Sequence, residues 1–417
     1  MLLPVRQHFP HRTLPDVSGA VRAELEASGL AQTLRPGARV AIGAGSRGIS
    51  NIAEIVRAVV DYFTAHGMKP FLFPAMGSHG AGTPEGQASV LAHYGIDEAN
   101  MGCPVATTFD VVTVGRTELG IEAYAGKDAW ASDGIFLVSR VKWHTSFAGN
   151  IESGVAKMLA IGLGKLAGAK SVHAHARTHG MEAAIRSVAK LLIGTGKILG
   201  GLGILEDAYH ATAQVSVLRA AGLLEREEEL LRTTKSWMVR IPAPRVDVLI
   251  IDEIGKNISG TGMDLKIVNR ATTGQYNPWP EEPKIERIFV RDLSPLSYGN
   301  AVGIGAADVI HDRLLPKVDV NAGRVNAVTS GSLALVRTPL HFPSDRECLE
   351  LAAATVGKFD PAEVTVAWIR NTLELGRLAL SENLRGEIGK NPELEILGPA
   401  FEMEFDENGN LEGMPCL

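Results

Sequence analysis

Arg39-Val-Ala-Ile-Gly-Ala-Gly-Ser-Arg-Gly-Ile-Ser-Asn-Ile-Ala-Glu-Ile-Val-Arg-Ala-Val-Val-Asp-Tyr-Phe63 changes its hydrophobic period midway. Arg39 to Gly43 is a short apolar run that reads as a buried strand. Ile52, Ile55, Val56, Val59, Val60 and Phe63 then recur at the spacing of one buried helix face. Asn51 with Glu54 three residues on has the form of a capping pair. Between strand and helix lies Gly43-Ala-Gly-Ser-Arg-Gly48, whose glycines, hydroxyl and guanidinium suit either an anion cradle or simply a tight turn. The same alternation follows at once. Phe71 to Phe73 is a second strand, and Thr83-Pro84 starts a helix with a capping hydroxyl and a proline at its first position. Strand, glycine loop and helix in succession predict an α/β fold.

Outward from this unit, Val111 to Val114 and Ile121 to Ala125 read as a hairpin, and Gly134 to Val138 as a buried strand. Met181, Ile185, Val188 and Leu192 mark an amphipathic helix, and Leu218 to Trp237 reads as a charged one. Ile241-Pro-Ala-Pro-Arg245 punctuates the chain, and Val246 to Asp252 is apolar enough to be a strand buried on both faces. Ile285 to Val290 is read as a strand, Ala301 to Leu315 as a helix, and Glu395 to Leu397 and Phe401 to Phe405 as late strands. The expected organisation is two α/β domains with a cleft between them. Residues 1–240 form the first and 246–395 the second, with a tail over 396–417 that packs back on the first.

At 417 residues the chain exceeds the usual size of a single core, which favours two domains. A net charge of −6 excludes a general nucleic-acid surface, which needs clustered cations. Cys103, Cys348 and Cys416 show no CxxC spacing, so a reducing compartment is expected rather than a disulfide framework. The first residues lack a basic-then-apolar signal, and no run approaches the roughly 18 apolar residues of a membrane span. A cytoplasmic protein with no membrane partner is expected.

The candidate chemistry is concentrated in Val138 to His179. Lys142, His144, Lys157, Lys165, His173, His175 and His179 stand there among small residues that permit close approach. His173 and His175 alternate as they would on one face of an extended strand, with His179 just before the next helix. Imidazoles suit zinc, nickel, copper or iron, and the nearby carboxylates are Glu152 and Glu182. Lys157 lies in an apolar, small-residue run, where an amine is paired, brought to the surface or used covalently. His79 stands on the loop beyond the second strand, between Gly77 and Gly80, where open α/β sheets bind ligands.

Several motifs fail. Gly162-Leu-Gly-Lys165 and Gly194-Thr-Gly-Lys197 lack the earlier glycine and the following hydroxyl of a phosphate loop. Gly43 to Gly48 matches GxGxxG, but the next strand ends in Phe73-Pro74 instead of the acidic residue of a dinucleotide site. No GxSxG appears, which weakens a serine hydrolase.

Gly-Ser-His79-Gly, then His144-Thr-Ser-Phe-Ala-Gly, then Lys157, then His173 sixteen residues later, resembles the lactate racemase family with its nickel-pincer nucleotide cofactor. The Gly45-Ser46-Arg47 turn looks like the family's first arginine loop, and Glu253-Ile-Gly-Lys256 like its substrate-side lysine loop. By that resemblance Lys157 carries the thioamide tether to the cofactor and His173 ligates nickel. His79 and His144 are the acid/base pair, Ser46 and Arg47 contact the cofactor, and Lys256 and Glu253 contact substrate. Three departures stand out: a longer interval from His144 to Lys157, Ala156 in place of an arginine, and Gly80-Ala81 in place of an arginine-proline pair. They point to a 2-hydroxy acid other than lactate.

The implied reaction is racemisation or epimerisation of a small 2-hydroxy acid by reversible hydride transfer to the cofactor, with the histidines moving the hydroxyl proton. Two other readings use the same residues. One is a zinc-type hydrolase built on His173, His175 and His179; the other is a non-catalytic anion or nucleotide sensor built on the Gly43 to Ser50 loop.

Overall fold

The computed structural model describes residues 1–45, 48–77, 83–281 and 283–414. The chain divides into two compact units, one of Pro10–Met238 and one of Met1–Phe9 with Val239–Leu417. Both are α/β, as the alternating periods require.

The Pro10–Met238 unit is built on a five-stranded sheet in the order β3 (Lys69–Pro74), β2 (Arg39–Ala44), β6 (Gly134–Arg140), β7 (Ile198–Glu206), β8 (Thr212–Arg219). The first four are parallel and β8 returns antiparallel. Val40, Ile42, Leu72, Phe136, Val138 and Leu202 face the Ile52–Ala65 helix on one side of this sheet. Phe71, Phe73, Ile135 and Leu137 face the other side, with Val172, Ile185, Val188 and Leu192. Strands covered on both faces explain why their sequences are continuously apolar instead of alternating. Val111–Arg116 and Glu122–Gly126 form the expected hairpin as β4 and β5. The Thr83 hydroxyl accepts the Gly86 N–H at 3.0 Å and caps the Pro84–His93 helix. Asn51 does not cap: it adopts a left-handed φ of 56°, and its amide donates to Glu54 instead.

Two readings are corrected here. Lys165–His179 is a helix, so His173 and His175 project about 200° apart and do not share a strand face. Its period is carried by Ala169, Val172 and Ala176, packed on the core, which outweighs the local alternation of the histidines. The helix expected at Leu218 begins only at Leu223, because Thr212–Arg219 is the edge strand β8.

The second unit holds an eight-stranded sheet. Its order is β12 (Leu340–Phe342), β11 (Val309–His311), β10 (Lys284–Leu293), β9 (Arg245–Ile254), β13 (Val366–Ile369), β14 (Arg377–Ser381), β1 (Leu2–Gln7), β15 (Leu394–Ile396). The strands from β12 to β13 are parallel and the last three antiparallel to their neighbours. Residues 1–9 and the tail therefore belong to this unit, unlike the division expected from sequence. Leu2 and Phe401 exchange backbone hydrogen bonds at 2.8 Å in both directions. Leu2 and the tail's Leu411 and Met414 pack with Val248, Ile250, Phe289 and Trp368. The helix expected over Ala301 to Leu315 is instead strand β11 between single 3-10 turns. Gly303 sits at φ 104°, and a side chain at Gly305 would strike the Ala334 carbonyl, while Val309 and Ile310 pair with β10.

Candidate functional site

The parallel sheet of the Pro10–Met238 unit has its topological switch at β2 and β6. From β2 the chain moves outward to β3, then returns to the other side of β2 as β6. In open α/β sheets such a switch point, beyond the carboxyl ends of the strands, is where ligands bind. The segment after β2 starts at Gly45, and the Ser46 and Arg47 assigned to cofactor binding lie outside the described residues. Ala75 to Gly77 follows β3, and His79 also lies outside them.

The loop after β6 presents His144. Lys142 and Ser153 pair through their backbones, N to O at 3.1 and 3.2 Å, and close the loop. Glu152, fully buried, organises its interior: one carboxylate oxygen accepts the His144 N–H at 2.5 Å, the other the Gly149 N–H at 3.1 Å. Lys235, from the Leu223–Trp237 helix, ion-pairs with Glu152 at 2.5 Å and donates to the Gly149 carbonyl at 2.8 Å. Glu152 is thus engaged in shaping the loop, and Glu182 accepts from Asn150 N–H and pairs with Arg186. Nδ1 of the half-buried His144 lies 2.9 Å from the Ser146 hydroxyl and 3.2 Å from the Ser146 backbone N–H. Phe147 packs beside it with ring centroids 4.4 Å apart.

Lys157 follows on a single helical turn, Val155–Lys157, that widens into a π turn over Met158–Gly162. The Leu163 N–H reaches back to the Met158 carbonyl at 2.8 Å, the i to i−5 bond of that widening. Insertions of this kind cluster at functional sites because they turn a side chain out of helical register. The π turn packs under both neighbouring loops. A Cβ on Gly45 would lie 3.1 Å from Met158 Cε, and one on Gly77 3.1 Å from Ile161 Cγ2. Glu227, fully buried, accepts the Ala156 N–H at 3.0 Å and supports this turn from behind; burial pushes its carboxyl up to about 7. Gly154 is required above it, since a Cβ there would come within 2.6 Å of the Glu227 carboxyl.

His173 rises from the Lys165–His179 helix, half-buried. Burial holds its pKa below the usual imidazole range, and the positive charge of Lys157 lowers it further. A neutral imidazole is the metal-ligating form. His175 turns elsewhere, its Nδ1 2.9 Å from the Ser171 carbonyl, and His179 is exposed. Among the described residues, no group of three or more His, Cys, Asp or Glu side chains converges as a metal cage.

At the rim, Arg140 ion-pairs with Glu206 and donates to the Gly48 carbonyl at 3.1 Å, while Glu206 accepts the Ser50 N–H at 2.8 Å. These bonds join the ends of β6 and β7 to the segment after β2. The sequence singled out neither Glu206 nor Glu227 as a builder, because their partners are remote in the chain, and it named Glu152 only as a carboxylate near the histidines.

In the other unit the sheet switches between β9 and β13, and Glu253 stands at the end of β9. Glu253 pairs with Arg370 and accepts from Asn371, and with Asp252, Asp292, Leu293 and Pro295 it lines a cavity of about 340 Å³. Lys256 donates to the Gly260 carbonyl at 2.6 Å.

No protein-family model matches the chain, and no curated protein matches it in sequence. No helix among the described residues is long and apolar enough to cross a membrane. Among solved structures, the chain is similar to the lactate racemase apoprotein from Thermoanaerobacterium thermosaccharolyticum. The TM-score is 0.51 at 11% identity, over 88% of this chain and 100% of that one. The likeness at that identity is one of fold: the chain has an α/β architecture similar to that of the lactate racemase apoprotein.

Proposed function

We propose that the chain is a racemase or epimerase of a 2-hydroxy acid that works with a nickel-pincer nucleotide tethered to Lys157. The observation that carries this reading is the placement of Lys157 on a turn that widens into a π turn, between the loop that presents His144 and the helix that bears His173, at the switch point of a parallel sheet. The fold likeness to a lactate racemase apoprotein supports it.

The residues present fit the cofactor. Lys157 offers an amine on a turn that leaves helical register, and His173 offers an imidazole kept neutral by burial. When bound, the cofactor supplies an electron-poor ring that takes up and returns a hydride, which avoids a carbanion next to a carboxylate. The chain's own task is to move the hydroxyl proton and to hold the substrate. His144 suits the proton: an imidazole can act as general acid and base, and the Ser146 hydroxyl at its Nδ1, which can donate or accept, orients the ring. His79 is proposed as its counterpart for the opposite face of the substrate, and Ser46 and Arg47 as cofactor contacts. The assignment of Lys256 and Glu253 to substrate rests on the sequence resemblance.

The test compares intact mass and bound nickel of protein produced with and without the cofactor-making machinery. Lys157→Ala should lose the added mass, and His144→Ala should keep nickel while racemisation across a panel of 2-hydroxy acids disappears. Full activity in Lys157→Ala would overturn the reading, as would zinc with no organic chromophore, the signature of a hydrolase.

A further inference from the structure

Lys165 is 2% exposed and makes no ion pair among the described residues. It sits at a left-handed φ of 53° where the Lys165–His179 helix begins, so the backbone turns back to send the side chain into the core. Its Nζ donates to the Pro74 carbonyl at 2.6 Å and to Gln87 Oε1 at 3.5 Å, with the rings of Phe73 and Phe109 alongside. Gln87, itself fully buried, donates its amide to the Gly77 carbonyl at 3.1 Å. Burial lowers the amine to about 8 against the opposing charge of Asp128. A methionine of similar length would fill the space with no such desolvation.

What the amine and amide do that a hydrocarbon could not is to join chain segments. Pro74 and Gly77 lie at and just after the end of β3 and Gln87 on the Pro84–His93 helix, so the pair ties these two segments to each other and both to the helix of His173. The fit is tight: a Cβ on Gly162 would lie 2.5 Å from the Ala75 carbonyl, and the Cβ of Ala169 is 3.7 Å from the Cβ position of Gly77. We propose that Lys165 and Gln87 are a positioning pair, which holds the Pro74–Gly77 segment and the Pro84–His93 helix in register with the segment that bears Lys157 and His173. This deepens the racemase reading and rests on it for its kinetic arm.

The experiment uses Lys165→Met and Gln87→Met in the cofactor-loaded full chain, with three readouts. Hydrogen exchange of peptides from the end of β3 and from the Pro84–His93 helix should quicken in both variants while β9, β10 and β13 stay protected. Intact mass should show undiminished adduct on Lys157. The rate kcat should fall by roughly 10²-fold, with KM within about twofold of wild type. The double variant should lose no more than the worse single one, since both act on the same two segments. If Lys165→Met does not fold, Gln87→Met carries the test. Unchanged exchange in the end of β3 and the Pro84–His93 helix, or wild-type kcat in a folded, loaded variant, overturns the proposal. Absence of adduct and of racemisation in the wild type would instead refute the racemase reading and leave the exchange arm to decide the clamp.

Discussion

Replacing Glu227 by glutamine should remove a pH dependence of stability that the wild type carries between about pH 4.5 and 7. The carboxyl lies at full burial behind the Lys157 turn; one oxygen accepts the Ala156 N–H, and the other has no partner among the described residues. Desolvation dominates the two backbone bonds from Val155 and Ala156 and raises the group from 4.5 to about 7. At the bottom of the window the group is protonated in folded and unfolded chains alike. As pH rises, the unfolded chain releases its proton first, so stability falls through the window and levels off above the folded value. A shift of this size corresponds to roughly 3 kcal/mol. Glutamine has no proton to lose, and its carbonyl can keep the Ala156 bond. Urea unfolding of both proteins at pH 5 and pH 8 should therefore show the difference moving by roughly 2–3 kcal/mol in favour of Glu227→Gln at the higher pH. Curves for the two proteins that stay parallel across this range would refute the account of Glu227 as a desolvated, poorly compensated carboxyl.

Gly162→Ala should lower stability by roughly 1–3 kcal/mol, because the added methyl meets the Ala75 carbonyl at 2.5 Å and Met158 at 3.0 Å; an unchanged thermal midpoint would show that the π turn can move. Glu152→Ala should cost roughly 1–3 kcal/mol, since two loop N–H groups and the ammonium of Lys235, partly open to solvent, all lose their acceptor. Urea titration would reveal it, and a neutral effect would mean the His144 loop is held by its Lys142–Ser153 closure alone. Lys165→Met should be more stable than wild type near neutral pH, by an amount that shrinks as pH rises above about 8 and the buried wild-type amine is neutral in the folded chain. A stability difference constant from pH 7 to pH 10 would argue that the amine is solvated.

Several elements set by residues near in sequence were legible before the fold was known. The apolar run at Arg39 to Gly43, the helical period from Ile52 to Phe63, the Thr83 cap and the β4–β5 hairpin follow from local period and turn chemistry. So did the sixteen-residue interval from Lys157 to His173, although its meaning did not. The alternation of His173 and His175 suggested a strand, yet core packing of Ala169 and Val172 made a helix. Only the tertiary structure decided that a π turn and a left-handed Lys165 stand between Lys157 and His173 and set where the helix of His173 begins.

The residues that build the site were invisible for the same reason. Glu227 meets Ala156 across 71 positions, Lys165 meets Pro74 across 91, and Leu2 pairs with Phe401 at the far end of the chain. Sequence by itself determined the α/β class and the residues with reactive side chains, since those depend on local period and chemical type. Which of them face one another, and which unit the two ends of the chain join, was decided by sheet order and packing, where contacts between remote residues outweigh any local preference.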